Sequence, residues 1–124
     1  MKNILQILIL IFIGLSLNSC YYDSFSEEDF IPITEDVSYK NDIVPLWGQC
    51  SGCHNGTLAP DMRDATSYNS LLNGYVIPNN ADQSILYKSL LGTGGVSLMP
   101  PGSKWSDSKI NLVKSWITQG AKDN

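Results

Sequence analysis

The sequence is short of the residues from which most catalytic and metal centres are built. Its 124 residues include one histidine, His54, and three cysteines, Cys20, Cys50 and Cys53. A single histidine excludes any Ser/His/Asp or Cys/His set standing apart from His54 itself. Three cysteines are too few for a disulfide-built mini-domain, so each needs its own explanation. Positive charge is also scarce: 8 Lys+Arg stand against 12 Asp+Glu, a formal net charge of -4. That balance excludes a basic nucleic-acid-binding surface and a basic sweep toward acidic lipids. No alternating strand run of convincing length occurs. Gly92-Thr93-Gly94-Gly95 lacks a preceding strand, so it reads as a loop and not as a nucleotide-binding turn. The length suits one small domain.

What is present starts with a targeting pattern. Lys2 is followed by an uncharged run through Tyr22, with an apolar stretch from Ile4 to Leu17. A basic start, an apolar stretch and then small residues form a secretory signal. The stretch ends Leu17-Asn18-Ser19-Cys20, which resembles a bacterial lipobox. The resemblance implies cleavage after residue 19 and acylation of Cys20. Each buried methylene contributes about 0.8 kcal/mol, so two or more chains hold a domain on a bilayer. An uncleaved transmembrane anchor is the alternative, since a run of this length just spans a hydrocarbon core of ~30 Å. Either way the remaining chain lies outside the cytoplasm of a bacterial cell envelope. Tyr21 after the lipid cysteine, where an aspartate would retain a lipoprotein in the inner membrane, leans toward the outer one. Residues 20–37 are acidic and aperiodic and read as a tether, leaving 38–124 as the domain.

The domain reads as about four short helices. Residues 41–48 put Ile43, Leu46 and Trp47 on one face, and Pro45 is tolerable only near the first turn. Residues 64–72 present Tyr68, Leu71 and Leu72, with Thr66 as a candidate cap and Asn73-Gly74 as a stop. Residues 82–91 start at an Asp82 cap, bury Ile85, Leu86 and Leu90, and end at Gly92. Residues 106–119 are capped by Ser106 and closed by Gly120, with Ile110, Val113, Trp116 and Ile117 as one apolar stripe. The class is therefore all-α. So small a domain buries limited surface, a deficit that a large apolar cofactor held covalently would fill.

Cys50-Ser51-Gly52-Cys53-His54 is the C-x-x-C-H spacing of c-type haem attachment. Cysteines three apart lie on one helical turn and reach two vinyl groups of one porphyrin, while the next residue turns its imidazole to the iron. Gly52 leaves the turn bare where a macrocycle must lie close. Other readings compete. Structural zinc needs four N/S ligands and finds three here; a thioredoxin-like dithiol wants a βαβ setting; a disulfide closing so small a loop would stabilise little. One motif means one haem.

No second histidine exists to fill the sixth position, so a methionine is expected there. Met1 leaves with the signal, and Met62 is too near His54 in sequence to reach the opposite haem face. Met99 stands in Ser97-Leu98-Met99-Pro100-Pro101-Gly102, where the following proline extends its backbone and two prolines stiffen the loop. A thioether ligand favours reduced iron. The plain alternative is a core gap-filler.

The order Ile43-x-Pro45, Cys50-x-x-Cys53-His54, Tyr68-x-x-Leu71, Ser84-x-Leu86-Tyr87, Met99-Pro100-Pro101 and Trp116-Ile117-x-x-Gly120-Ala121 resembles the small mono-haem cytochrome c module, more narrowly the planctomycete-type cytochrome c domain often found in lipoproteins. The match runs from about 39 to 121. It implies a cytochrome c fold whose first and last helices cross, with Trp47 and Trp116 near the crossing and the haem. In longer relatives the proline of a Gly-Pro after the haem motif accepts the histidine ring N–H. Here the nearest candidate is Ala59-Pro60, and an ordinary loop proline is the alternative. The function expected is one-electron transfer with a covalent haem c on Cys50 and Cys53 and His54/Met99 axial ligation, not catalysis. Transient redox proteins would be the partners, and the acidic balance hints at a basic docking patch on them. The alternative is a haem redox-enzyme subunit or gas-binding module with a displaceable Met99.

Overall fold

The computed structural model describes residues 33–124, so the expected signal, Cys20 and most of the expected tether lie outside the described residues. Helices and turns make up the described chain, and no strand occurs among those residues. No helix among them is long and apolar enough to cross a membrane.

The N-terminal helical segment has two parts, a π-helical turn Tyr39–Ile43 and a 3-10 stretch Val44–Gln49. Ser38 starts it: its Oγ accepts from Asn41 N, and its own N–H donates to Asp42 Oδ2 at 2.8 Å. This reciprocal pair satisfies donors that a helix start leaves unpaired. Pro45 falls in the first turn of the 3-10 stretch, where its missing N–H leaves nothing unbonded. Tyr39, Ile43 and Trp47 are buried on the inner face, while Leu46 packs only partly against it.

Helix α1, Ser67–Leu72, begins three residues later than the spacing suggests. Thr66 is at its N-cap position without capping it, because Thr66 Oγ1 donates backward to Arg63 O at 3.3 Å. Helix α2, Ile85–Leu91, also starts late. Asp82 is not the cap expected there. Asn80 Oδ1 accepts from Gln83 N at 3.2 Å and caps a separate 3-10 turn, Ala81–Gln83. The buried Ser84 then interrupts the helix: its Oγ accepts from Ile77 N at 2.9 Å and donates to Asn80 O at 2.8 Å. A serine that bonds local backbone this way offers the chain an alternative to continuous helix. Gly92 closes α2 in the left-handed conformation, φ 67°. A Cβ there would sit 3.2 Å from Leu98 Cβ, so the position needs glycine on both counts.

Helix α3, Asp107–Thr118, buries the expected stripe of Ile110, Val113, Trp116 and Ile117. It packs against the N-terminal helical segment, with the Tyr39 and Trp116 rings 4.9 Å apart. A polar chain threads this interface. Trp47 Nε1 donates to Tyr39 Oη at 3.2 Å, and Tyr39 Oη donates to Ser67 Oγ at 2.7 Å, both bonds being buried. Burial pushes the Tyr39 phenol above its ordinary value.

Residues 33–37, which the sequence places at the end of a tether, are docked on the domain instead. Val37 is buried, and its N–H donates to Gln119 Oε1 at 2.8 Å. Gln119 Nε2 donates to Ile33 O at 3.1 Å and Glu35 O at 2.8 Å. One amide side chain thus pairs three backbone groups of this stretch, an arrangement with no local sequence signal.

Tyr39→Phe leaves the buried Trp47 N–H without its acceptor and is expected to lower stability by about 1–3 kcal/mol in denaturant unfolding. In wild type the neutral phenol is favoured by folding. That contribution is complete below about pH 10 and is lost as pH rises through the higher folded value. Tyr39→Phe should flatten this alkaline decline. Gln119→Ala is expected to free residues 33–37, read as loss of amide-exchange protection at Val37 with α3 still protected.

Candidate functional site

The N-terminal helical segment runs directly into the Cys50–His54 turn. Cys50 N–H donates to Trp47 O at 2.8 Å, and the Cys50 carbonyl accepts from Cys53 N at 3.1 Å and His54 N at 2.8 Å. One turn of backbone therefore carries both thiols and the imidazole. Cys50 and Cys53 are free thiols. Burial, with a smaller contribution from Cys53, pushes the Cys50 thiol up.

The loop after His54 closes back on it. His54 Nδ1 lies 3.1 Å from Pro60 O. A carbonyl only accepts, so in the neutral ring the proton sits on Nδ1 and Nε2 keeps its lone pair. Met62 N–H donates to His54 O at 2.8 Å, and Asp61 N–H donates to Ser70 Oγ at 2.7 Å. The Arg63 guanidinium, bonded to Asp61, holds that carboxyl well below the usual carboxylate range. The Pro60 bond orients the ring, and the others hold the loop that carries Pro60.

In front of the turn is a cavity of about 600 Å³. Cys50, Cys53 and His54 line one part, with Trp47, Leu58 and Pro60; Ile85, Leu86 and Leu90 of α2 line another; Val96, Met99, Pro100 and Pro101 bring in the following loop. Met99 N–H donates to Ser89 O at 2.8 Å, which secures that loop to α2. Of the four residues singled out in 38–124, all four line this cavity. The fifth, Cys20, lies outside the described residues.

Chemically the cavity suits a large, flat, mostly apolar group. Its volume is in the range of roughly 300–1,000 Å³ usual for cofactor and ligand pockets. None of its lining side chains is an Asp, Glu, Lys or Arg. Leu58 and Ile85 both line it and are 57% and 42% exposed, so two large apolar side chains add accessible apolar surface to the wall. The wall offers two thiols, one imidazole and the thioethers of Met62 and Met99, donor types that could hold a covalently attached haem. Among the described residues no group of three or more His, Cys, Asp or Glu could hold a metal ion.

Several placements differ from expectation. Ile85, expected in the core, is on the cavity wall. Trp47 lines the cavity, but Trp116 does not; it packs on Tyr39 and donates from Nε1 to Lys122 O at 2.9 Å. No protein atom lies within 4 Å of a Cβ built on Gly52, so protein packing does not account for glycine there. Leu58, Tyr75, Val96 and Gln49 also line the wall; they lie in loops or at an element's end, where no sequence period marks an inward face.

Compared with protein-family models, with curated proteins and with solved structures, the chain finds no match.

In protein prepared without an attached cofactor, iodoacetamide is expected to alkylate the exposed Cys53 faster than Cys50, whose thiol is more buried and pushed up by that burial. Peptide mass spectrometry over a time course at pH 8 reads the order.

Proposed function

We propose that this chain is an extracytoplasmic one-electron carrier: an all-α domain of cytochrome c type that holds one covalent c-type haem. The observation that carries this is the convergence of Cys50, Cys53, His54 and Met99 on the wall of one apolar cavity. They come from two stretches of chain separated by α1 and α2, and together they would meet the attachment and ligation needs of such a group. Met62 also lines the wall, but its N–H is bonded to His54 O, which keeps its backbone on the His54 side.

The haem supplies the one-electron chemistry, and the chain's residues do the rest. Cys50 and Cys53 hold it by thioether bonds. His54 donates from Nε2, made a stronger donor by the Nδ1–H···O bond to Pro60. Met99 donates its thioether sulfur, which favours the reduced state. If His54 and Met99 both ligated the iron, no coordination site would be left for substrate, which favours electron transfer over catalysis. The charge-free, apolar wall raises the cost of extra charge at the iron and works in the same direction as Met99.

The chain's N-terminal pattern supports a lipid anchor at Cys20 in a bacterial envelope, with the outer membrane favoured by Tyr21. Redox proteins docking transiently would be the partners, and such contacts are small. If Met99 is easily displaced, a gas-binding or redox-enzyme role takes precedence. The Met99 N–H bond to Ser89 O favours a held ligand and so the carrier.

Full-length protein expressed with haem-attachment machinery is expected to stain for haem after denaturing electrophoresis. Its intact mass should include one haem and the acyl groups, with residues 1–19 missing. The ferric protein should show a far-red thioether–iron band that Met99→Ala abolishes. Absence of stain would end the haem proposal; rapid CO binding without the far-red band would replace the carrier by a gas-binding protein.

A further inference from the structure

Met99 is carried by residues 92–106, a stretch with no regular structure between α2 and α3. Among the bonds that tie this stretch down, two lie on either side of Pro100 and Pro101. Met99 N–H donates to Ser89 O at 2.8 Å. Beyond the prolines, Trp105 Nε1 donates to Gln49 Oε1 at 3.1 Å. Gln49 is the residue immediately before Cys50, so the second bond joins the Met99 arm to the segment that carries both thiols and His54.

The two partners of that bond differ in freedom. Trp105 is 6% exposed, its ring stacks on Trp47 at 6.2 Å and 23°, and Lys109 Nζ lies 5.5 Å from its centroid. The indole is therefore held on the core, on top of a cavity-wall residue. Gln49 is exposed and lines the cavity edge. The bond spans 56 positions of sequence, and if the arm swings away it must break.

We propose that the Gln49–Trp105 hydrogen bond is a latch that holds the Met99 arm against the Cys50–His54 wall and so sets how readily Met99 gives up its position to an outside ligand. This rests on the haem reading above. Gln49 and Trp105 are positioning residues, and neither supplies a ligand. Without the latch the folded protein keeps its core, because Trp105 still stacks on Trp47. The arm then opens at less cost, and a competing ligand gains the free energy of one hydrogen bond, here moderated by water at the exposed Gln49.

The test uses the full haem-loaded ferric protein titrated with imidazole, following loss of the far-red thioether–iron band. Gln49→Leu is expected to bind imidazole about two- to tenfold more tightly than wild type. Trp105→Phe, which also thins the stack on Trp47, should shift the affinity at least as far. The double variant should match Trp105→Phe and not the product of the singles, because both remove the same bond. Gln49→Glu keeps an acceptor and should return the affinity to near the wild-type value, which a general loss of packing would not do. Equal imidazole affinity in wild type and Gln49→Leu, with haem stain and far-red band intact, overturns the latch and leaves the haem proposal standing. Multiplicative singles, or Gln49→Glu behaving as Gln49→Leu does, overturn it as well. A wild type without covalent haem overturns the haem reading itself, and the latch falls with it.

Discussion

The Cys50 carbonyl accepts from both Cys53 N and His54 N, while Cys50 N–H donates to Trp47 O, and the rest of the site is arranged around that turn. Because Trp47 is buried, rotating the turn would unpack the core. Trp47 is held in its own right by Tyr39, whose hydroxyl bonds Ser67 and whose ring lies on Trp116. The thiols and imidazole are thus fixed through one side chain to the interface between the first helical segment and α3. A buried polar chain of this kind is costly to leave half-made, which makes it a device for holding one arrangement.

Around this anchor the apolar residues fall into two groups. Ile43, Leu71, Ile110, Val113, Trp116 and Ile117 pack on one another and are buried. Leu58, Ile85, Val96 and Met99 line the cavity. A domain of this size has little spare apolar surface with which to stabilise itself. At about 25 cal/mol per Å² buried, an apolar group filling the cavity would contribute to folding as well as to function. Under the proposed function, stability and redox activity share one cofactor.

The helices were legible because their stripes recur at the helical period. Ile110, Val113, Trp116 and Ile117 are buried as the spacing requires, and Gly92 ends α2 because only a residue free to adopt positive φ fits there. The boundaries that differed have local polar causes. Ser84 bonds Ile77 and Asn80 and splits the third helical region, which moves the cap from Asp82 to Asn80. Ile85 carries the right hydrophobicity for a core position, but the shift turns it to the cavity wall.

By itself the sequence determined the elements whose causes lie within a few residues: the all-α class, the apolar stripes, and two thiols and an imidazole on one turn. It also named Met99 and Pro60 as candidates, since Met62 and the single histidine left few others. Only the tertiary structure decided that Met99 faces the same cavity as His54, that Pro60 O meets His54 Nδ1, and that Trp105 reaches Gln49. It also decided that Gln119 gathers residues 33–37 onto the domain. Except for the Pro60 contact, these join distant stretches of chain, and all of them run through loops or element ends. Their geometry follows from how the core closes, for which no local period or propensity exists to be read.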